Sequence, residues 1–192
     1  MGSVNDHNPT RLAFALKTQE RFVKQRKLFI EGPGYINWSC VKFGDYCYVK
    51  PGSVIGSKGF SWGFLPDNTP EVIVHTGSVI IGNYVEIGAL CTICRGTVDA
   101  TILEDYVKLD DHIHIAHNCK IGTKSCIAGG AILGGGVIVG EAVWIGLNAT
   151  IKEKVIIGDR AVIGMGANVI HDVPPLAIVA GNPAKILGYR DK

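Results

Sequence analysis

Aliphatic residues recur along this chain at every sixth position from Leu103 to Val169, without a slip: Leu103, Leu109, Ile115, Ile121, Ile127, Leu133, Val139, Ile145, Ile151, Ile157, Ile163 and Val169. Two places before each stands a smaller side chain in most repeats, among them Cys119, Ser125, Ala131, Val137, Val143, Ala149 and Ala161. One place after comes Gly or Ala in most turns, as in Gly122, Ala128, Gly134, Gly140 and Gly146. A period of six matches neither an α-helix at 3.6 nor a simple strand at two. It predicts a triangular coil of short strands, each side sending one aliphatic side chain inward, with three hexapeptides and eighteen residues per turn. Glycine is expected at the corners for the backbone dihedrals it tolerates. Stacked coils then pair along the axis, as solenoid repeats do.

The register extends upstream in two shifted blocks: Ile81, Ile87 and Ile93, then Phe43, Val49 and Ile55. The step from Ile93 to Leu103 is a repeat plus four inserted residues, and one step before Phe43 the slot is the polar Asn37. The expected organisation is an N-terminal helix and arm over 1–36, with the helix near 10–29, and a β-helix of about six coils over 37–172. An excursion over 56–80 leaves the coil and returns. A Pro-rich capping loop and tail over 173–192 ends the chain. Long loops of this kind are usually functional, and Phe60, Trp62 and Phe64 on this one invite a substrate or a neighbouring chain. Val107, Ile113, Ile138 and Ile156 are expected on the outer faces, to be covered by other copies.

Composition adds limits. The 19 Lys and Arg nearly balance the 17 Asp and Glu, so nothing points to nucleic acid or a charged membrane surface. No apolar run has the ~20 residues of a membrane helix. Arg11, Lys17, Glu20 and Arg21 interrupt any signal-peptide core, and Asp6 spoils a myristoylation signal after Met1-Gly2, so the cytoplasm is expected. Cys91 and Cys94 form a lone CxxC. Cys47, Cys91 and Cys119 fall in the small-residue slot, and all six cysteines read as reduced packing residues.

Beyond the period, VIGSKGFSWGF (54–64), VEIGALCTICRG (85–96) and VKLDDHIHIAHNCKIG (107–122) resemble, in order and spacing, the acyltransferases of lipid A synthesis that act on UDP-3-O-acyl-glucosamine. The segment IVAGNPAKILGYR (178–190) is similar instead to bacterial sugar O- and N-acetyltransferases that use acetyl-CoA. Both belong to the hexapeptide-repeat superfamily, whose coils are left-handed and whose members are homotrimers. Three departures from the lipid A enzymes stand out: no room for their uridine-binding domain before the first coil, a Pro- and Gly-rich tail after Val169 where they carry a helical extension for acyl carrier protein, and Lys154 where their second histidine falls. The resemblance therefore implies an all-β, left-handed β-helix enzyme of the acetyl-CoA type. It would N-acetylate a nucleotide-linked amino sugar for surface polysaccharide synthesis, with O-acetylation as an alternative.

Acyl transfer from a thioester needs a base, an oxyanion donor and a channel that positions the thioester. His117, two places past Ile115 at a corner, takes the family's base position. The family's orienting aspartate maps to Asp110, although Asp99, eighteen residues before His117, competes for that role. Gly135, eighteen residues after His117, takes the oxyanion position and would meet the thioester. Coenzyme A is expected along the groove beside Gly135, Gly146 and Gly164, with Lys154 and Lys185 for its phosphates. His114, Asn118, Phe60 and Trp62 are assigned to substrate. A rival class is the zinc carbonic anhydrase of the γ type, because His112 and His117 share its five-residue spacing; its third histidine would fall on Thr76, one place after His75. A non-enzymatic binding platform is the other. No metal is expected under the favoured reading.

Overall fold

The structure, a computed structural model, describes residues 28–191. Over them the chain winds as a left-handed parallel β-helix of about eight turns, whose three walls are sheets of nine, seven and six strands. From Leu103 onward successive coils stack at an eighteen-residue offset, and the step from Ile93 to Ile115 adds the four inserted residues to it. Leu109 pairs with Ile127, then Ile145, then Ile163 on the nine-stranded wall. Ile93, Ile115, Leu133, Ile151 and Val169 stack on the seven-stranded wall. Leu103, Ile121, Val139 and Ile157 stack on the six-stranded one. Each aliphatic slot thus repeats on the same wall once per turn, and the core is one continuous column of Ile, Leu and Val.

The helix starts earlier than the polar slot at Asn37 suggests. Leu28–Ile30 pairs with Cys47–Val49, and Tyr35–Ile36 with Val54–Ser57, so the first coil lies inside the stretch read as an arm. That placement, with the added coils, corrects the count of six. The expected helix falls mainly on residues 1–27, outside the described residues. At the other end, Ala177–Ala180 continues the nine-stranded wall, and Lys185–Tyr189 turns back antiparallel upon it. This segment is a strand pair that closes a sheet edge rather than a loop.

Two expectations about the repeat are revised. Val107 and Ile113 are fully buried. They occupy the slot two before the aliphatic position, which also points inward, where the triangle narrows towards its corner. Ile138 and Ile156 do face outward, with Ile80 and Ile132, at 41–47% exposure. Corner glycines are also not there chiefly for dihedrals. The left-handed corner position is held mostly by residues with side chains, such as Tyr106, Asn118, Lys124 and Lys154 at φ 61–63°. The glycine just after the aliphatic residue is required by close approach. A Cβ on Gly122 would lie 2.5 Å from the Gly140 carbonyl oxygen of the next coil, and one on Gly134 would lie 2.6 Å from the Glu153 nitrogen.

The core sets a stability prediction. Ile145 is fully buried in the column, and Ile145→Ala should cost ~2–5 kcal/mol in denaturant unfolding. Ile156→Ala, on the outer face, should cost no more than about 0.5 kcal/mol where no other copy covers it.

Candidate active site

The two irregularities of the repeat meet in space. After Ser57 the excursion forms an antiparallel hairpin, Trp62–Phe64 against Pro70–Val72, and returns through His75, Thr76 and Gly77. The four-residue insertion near 95–99 grips that return. Arg95 donates from Nε to the Gly77 carbonyl at 2.7 Å and from Nη2 to the Thr76 carbonyl at 2.9 Å. Directly beside this junction lies the corner between the seven- and six-stranded walls, carrying His117 and Asn118.

Asn118 takes the left-handed corner conformation, φ 61°, which asparagine tolerates better than most residues. Its backbone N–H donates to Thr101 Oγ1 at 2.8 Å. Its side-chain Oδ1 accepts from the Thr97 N–H at 3.1 Å and the Thr97 hydroxyl at 2.9 Å. A backbone N–H can only donate, so the amide's orientation follows. The same Oδ1 lies 3.0 Å from His117 Nδ1. That nitrogen must therefore carry the proton, leaving the lone pair on Nε2, which faces Ser61 Oγ at 2.9 Å.

Gly135 borders the same nitrogen one coil further along. A Cβ there would fall 2.7 Å from both Nε2 and Cε1 of His117. Its carbonyl accepts from the Lys154 N–H at 2.9 Å. Its own N–H has no acceptor among the described residues; a carboxylate caps the N–H at the equivalent positions Asn83, Ala89, Thr123, Gly129 and Glu141, while those of Leu147 and Glu153 are likewise uncapped. An uncapped donor beside a basic nitrogen is the arrangement acyl transfer requires.

His75 packs on the other side. Its ring meets His117 edge-on at 5.2 Å between centroids. Its Nδ1 accepts from the Gly59 N–H at 3.0 Å, so Nε2 bears the proton, and that atom is buried without a partner. Nδ1 also lies 3.4 Å from the Arg95 carbonyl, but a nitrogen that accepts cannot donate there. Burial lowers the pKa of His75 from 6.5, and burial does the same to His114, whose Nδ1 sits 2.6 Å from Thr92 Oγ1. A histidine with a depressed folded pKa contributes stability above its unfolded value and loses it as pH falls through the folded one. Thermal midpoints should therefore drop as pH is taken below about 6.5. The drop should be shallower in the His75→Gln/His114→Gln double variant.

The structure separates some residues grouped from sequence. Asp110 stands at the preceding corner, between the nine- and seven-stranded walls, and accepts the Gly129 N–H at 3.1 Å. Seven residues is one more than a side of the triangle, so within one chain Asp110 and His117 occupy successive corners, and Asn118 contacts the ring instead. Asp99 does not fill the role either. It lies in the inserted bend, its carbonyl oxygen packed where a Gly77 Cβ would be. Gly146 and Gly164 share the corner of Asp110, where a Cβ on Gly146 would strike the Met165 nitrogen at 2.7 Å. Lys154 is on the corner of His117, two coils on from Asn118; Lys185 lies exposed in the closing strand. Phe60, Trp62 and Phe64 are all exposed on the hairpin, and Trp62 meets Phe64 edge-on at 4.9 Å. His112 is at the corner of Asp110, apart from His117, and among the described residues no three His, Cys, Asp or Glu gather as a metal site would need. Sequence reading passed over Ser61 and Thr97, and met His75 only as a near miss for a zinc ligand. All lie in segments off the period, which carry no register to place them.

Among the described residues no helix is long and apolar enough to cross a membrane. Five of the six cysteines are buried and none is paired; burial raises the Cys119 thiol to about 12.

No family model matches the chain. Curated relatives match part of it. UDP-3-O-acylglucosamine N-acyltransferase 2 of Legionella pneumophila (strain Lens) is 46% identical over 69 residues, 35% of this chain and 20% of that protein. A UDP-3-O-acylglucosamine N-acyltransferase of Coxiella burnetii is 43% identical over 76 residues, 38% of this chain and 22% of that protein. The matched stretch is thus about a fifth of these relatives' length. Among solved structures, the UDP-N-acetylglucosamine O-acyltransferase of Moraxella catarrhalis superposes with a TM-score of 0.65 at 22% identity, over 85% of this chain and 70% of that one. That likeness is one of fold.

Proposed function

We propose, for a chain with homologues among the UDP-3-O-acylglucosamine N-acyltransferases and the β-helix of the hexapeptide-repeat acyltransferase superfamily, that it moves an acyl group onto a nucleotide-linked sugar. The observation that carries this reading is the lone pair of His117 Nε2 beside the uncapped N–H of Gly135. His117 acts as general base, taking the proton of an attacking amine. Asn118 holds the tautomer that makes Nε2 the basic atom. The Gly135 N–H receives the oxyanion that develops on the thioester carbonyl. The favoured reaction is N-acetylation of an amino sugar from acetyl-CoA, with Lys154 and Lys185 as point charges for the cofactor's phosphates; a hydroxyl acceptor would use the same base.

A homotrimer completes the picture by symmetry. Both corners of interest flank the seven-stranded wall: Asp110, Gly146 and Gly164 on one side, His117, Gly135 and Lys154 on the other. A threefold axis facing that wall sets the first corner of one chain against the second corner of the next. The groove between chains would then unite the residues that a single chain holds apart. A monomer in light scattering at micromolar concentration would count against this assembly.

The direct test is a panel of UDP-linked amino sugars and their hydroxyl counterparts with acetyl-CoA, following release of the free thiol. Acceptor-dependent release is expected with an amino sugar, and its absence across the panel would overturn the reading. The exposed hairpin gives a finer check. Trp62→Ala should raise the KM for the sugar nucleotide several-fold, as stacking on a base is worth ~1–3 kcal/mol, and leave that for acetyl-CoA nearly unchanged. Equal effects on both would remove the hairpin from substrate binding.

A further inference from the structure

One residue holds both ends of the excursion. Arg95 donates its backbone N–H to the Ser57 carbonyl at 2.9 Å, where the excursion departs, and its guanidinium grips Thr76 and Gly77, where it returns. Just inside those ends, the Gly59 N–H donates to His75 Nδ1 at 3.0 Å. Gly59 is wedged between two imidazoles. A Cβ there would lie 2.7 Å from His75 Cε1 and 3.0 Å from His117 Cδ2. The His75 ring itself meets that of His117 edge-on. The clasp and the base are therefore one packed unit, and what holds Gly59 also holds one side of the His117 ring.

Packing alone does not call for a histidine here. His75 is 3% exposed, and its Nε2–H is buried with no partner among the described residues. A leucine would fill a buried slot without stranding a donor. What histidine brings is Nδ1, an acceptor that a single proton abolishes. Protonation would set an N–H against the Gly59 N–H, donor against donor. The other acceptor beside Nδ1 is the Arg95 carbonyl, at 3.4 Å. The charges that bear on the ring are His117 at the corner, Arg95 in the insertion and Lys58 at the departure, all positive when ionised. Each resists a proton on His75.

Resting on the acyl-transfer reading above, we infer that His75 is a positioning residue that acts through His117. Neutral, it clasps Gly59 against the catalytic ring and keeps Nε2 seated beside Gly135. Protonated, it lets go of Gly59, and the ring loses that seat. Burial, and after it the positive neighbours, lower the pKa of the clasped form from 6.5. The clasp is thus favoured above the ordinary 6.5 of a released ring, and is lost as pH falls through the lower clasped value.

Two variants that cannot titrate bracket the wild type. In His75→Asn the introduced amide oxygen stands about where Nδ1 did and can take the Gly59 N–H at every pH. In His75→Leu the slot is filled and the clasp is gone at every pH. Hydrogen–deuterium exchange of the full chain without substrate reads the clasp directly. At about pH 5, peptides from 58–75 should exchange faster in wild type than in His75→Asn, and at about pH 8 the two should agree. His75→Leu should be fast at both. Acyl transfer reads the consequence. At about pH 8, His75→Asn should keep kcat within a few-fold of wild type, whereas His75→Leu should lose ~10-fold or more, as a misplaced reacting group does. On the acid side, wild-type kcat should fall as two protons bind and that of His75→Asn as one. The same acceptor serves throughout, so its own protonation cancels from the comparison. Acid limbs of equal slope, or full kcat in a folded His75→Leu, would overturn the inference. So would exchange over 58–75 that is the same in wild type and His75→Asn at every pH. If exchange follows the expected pattern and no variant acylates any sugar, the clasp stands and the nucleotide-sugar function falls instead.

Discussion

His117→Ala should lower kcat by ~10²–10⁴, the usual range for removing a general base, while leaving the coil folded and the KM for acetyl-CoA close to normal. The imidazole projects from a corner, and its bonds are to Asn118 Oδ1 and Ser61 Oγ rather than to the core. Its loss should therefore not disturb the aliphatic column. His117→Asn should fare no better, because an amide has no basic nitrogen to take the proton. His114→Ala is the internal control. That ring lies on the outer face of the seven-stranded wall, three residues earlier, with Thr92 as its partner, and a change of a few-fold at most is expected. Near-normal kcat in His117→Ala would move the base elsewhere, and greater damage from His114→Ala would mean the wrong histidine of the pair was chosen.

Gly135→Ala should be nearly as damaging, at ~10²–10³ in kcat, for a reason separable from the first. The added methyl would sit 2.7 Å from Nε2 and Cε1 of His117. The ring cannot simply step back, because Asn118 holds Nδ1, Gly59 backs one face and His75 abuts it. Stability should change little, as Gly135 is not among the left-handed glycines. Gly136→Ala is the comparison: Gly136 has φ 72° and only the Lys154 Cγ near its Cβ position, at 3.6 Å. It should lose stability by ~1 kcal/mol through backbone strain while retaining most of kcat. If Gly135→Ala kept full activity, both the oxyanion role and the tightness of the ring's seat would be wrong.

What the chain alone determined is whatever the six-residue period controls. An aliphatic residue at a fixed interval can be satisfied only by a structure that turns inward at that interval, so the column from Leu103 to Val169, the three walls and the eighteen-residue stack follow from the pattern. Because the stack is periodic, it also carried Gly135 to His117 across one coil. Resemblance pointed to the same pair. The period could not say why glycine recurs after the aliphatic slot. That depends on the distance to the next coil, which the dihedral argument ignored. Nor could it choose the partner of His117. Asp110 is near in sequence, but the triangle's side length carries it to the other corner. Asn118, the adjacent residue, holds the ring only because the inserted Thr97 turns its amide the right way. Ser61 and His75 reach the base from a segment off the repeat. A solenoid confines periodic residues to neighbouring coils, whereas an excursion can return anywhere its own hydrogen bonds allow, and only the folded chain decides where.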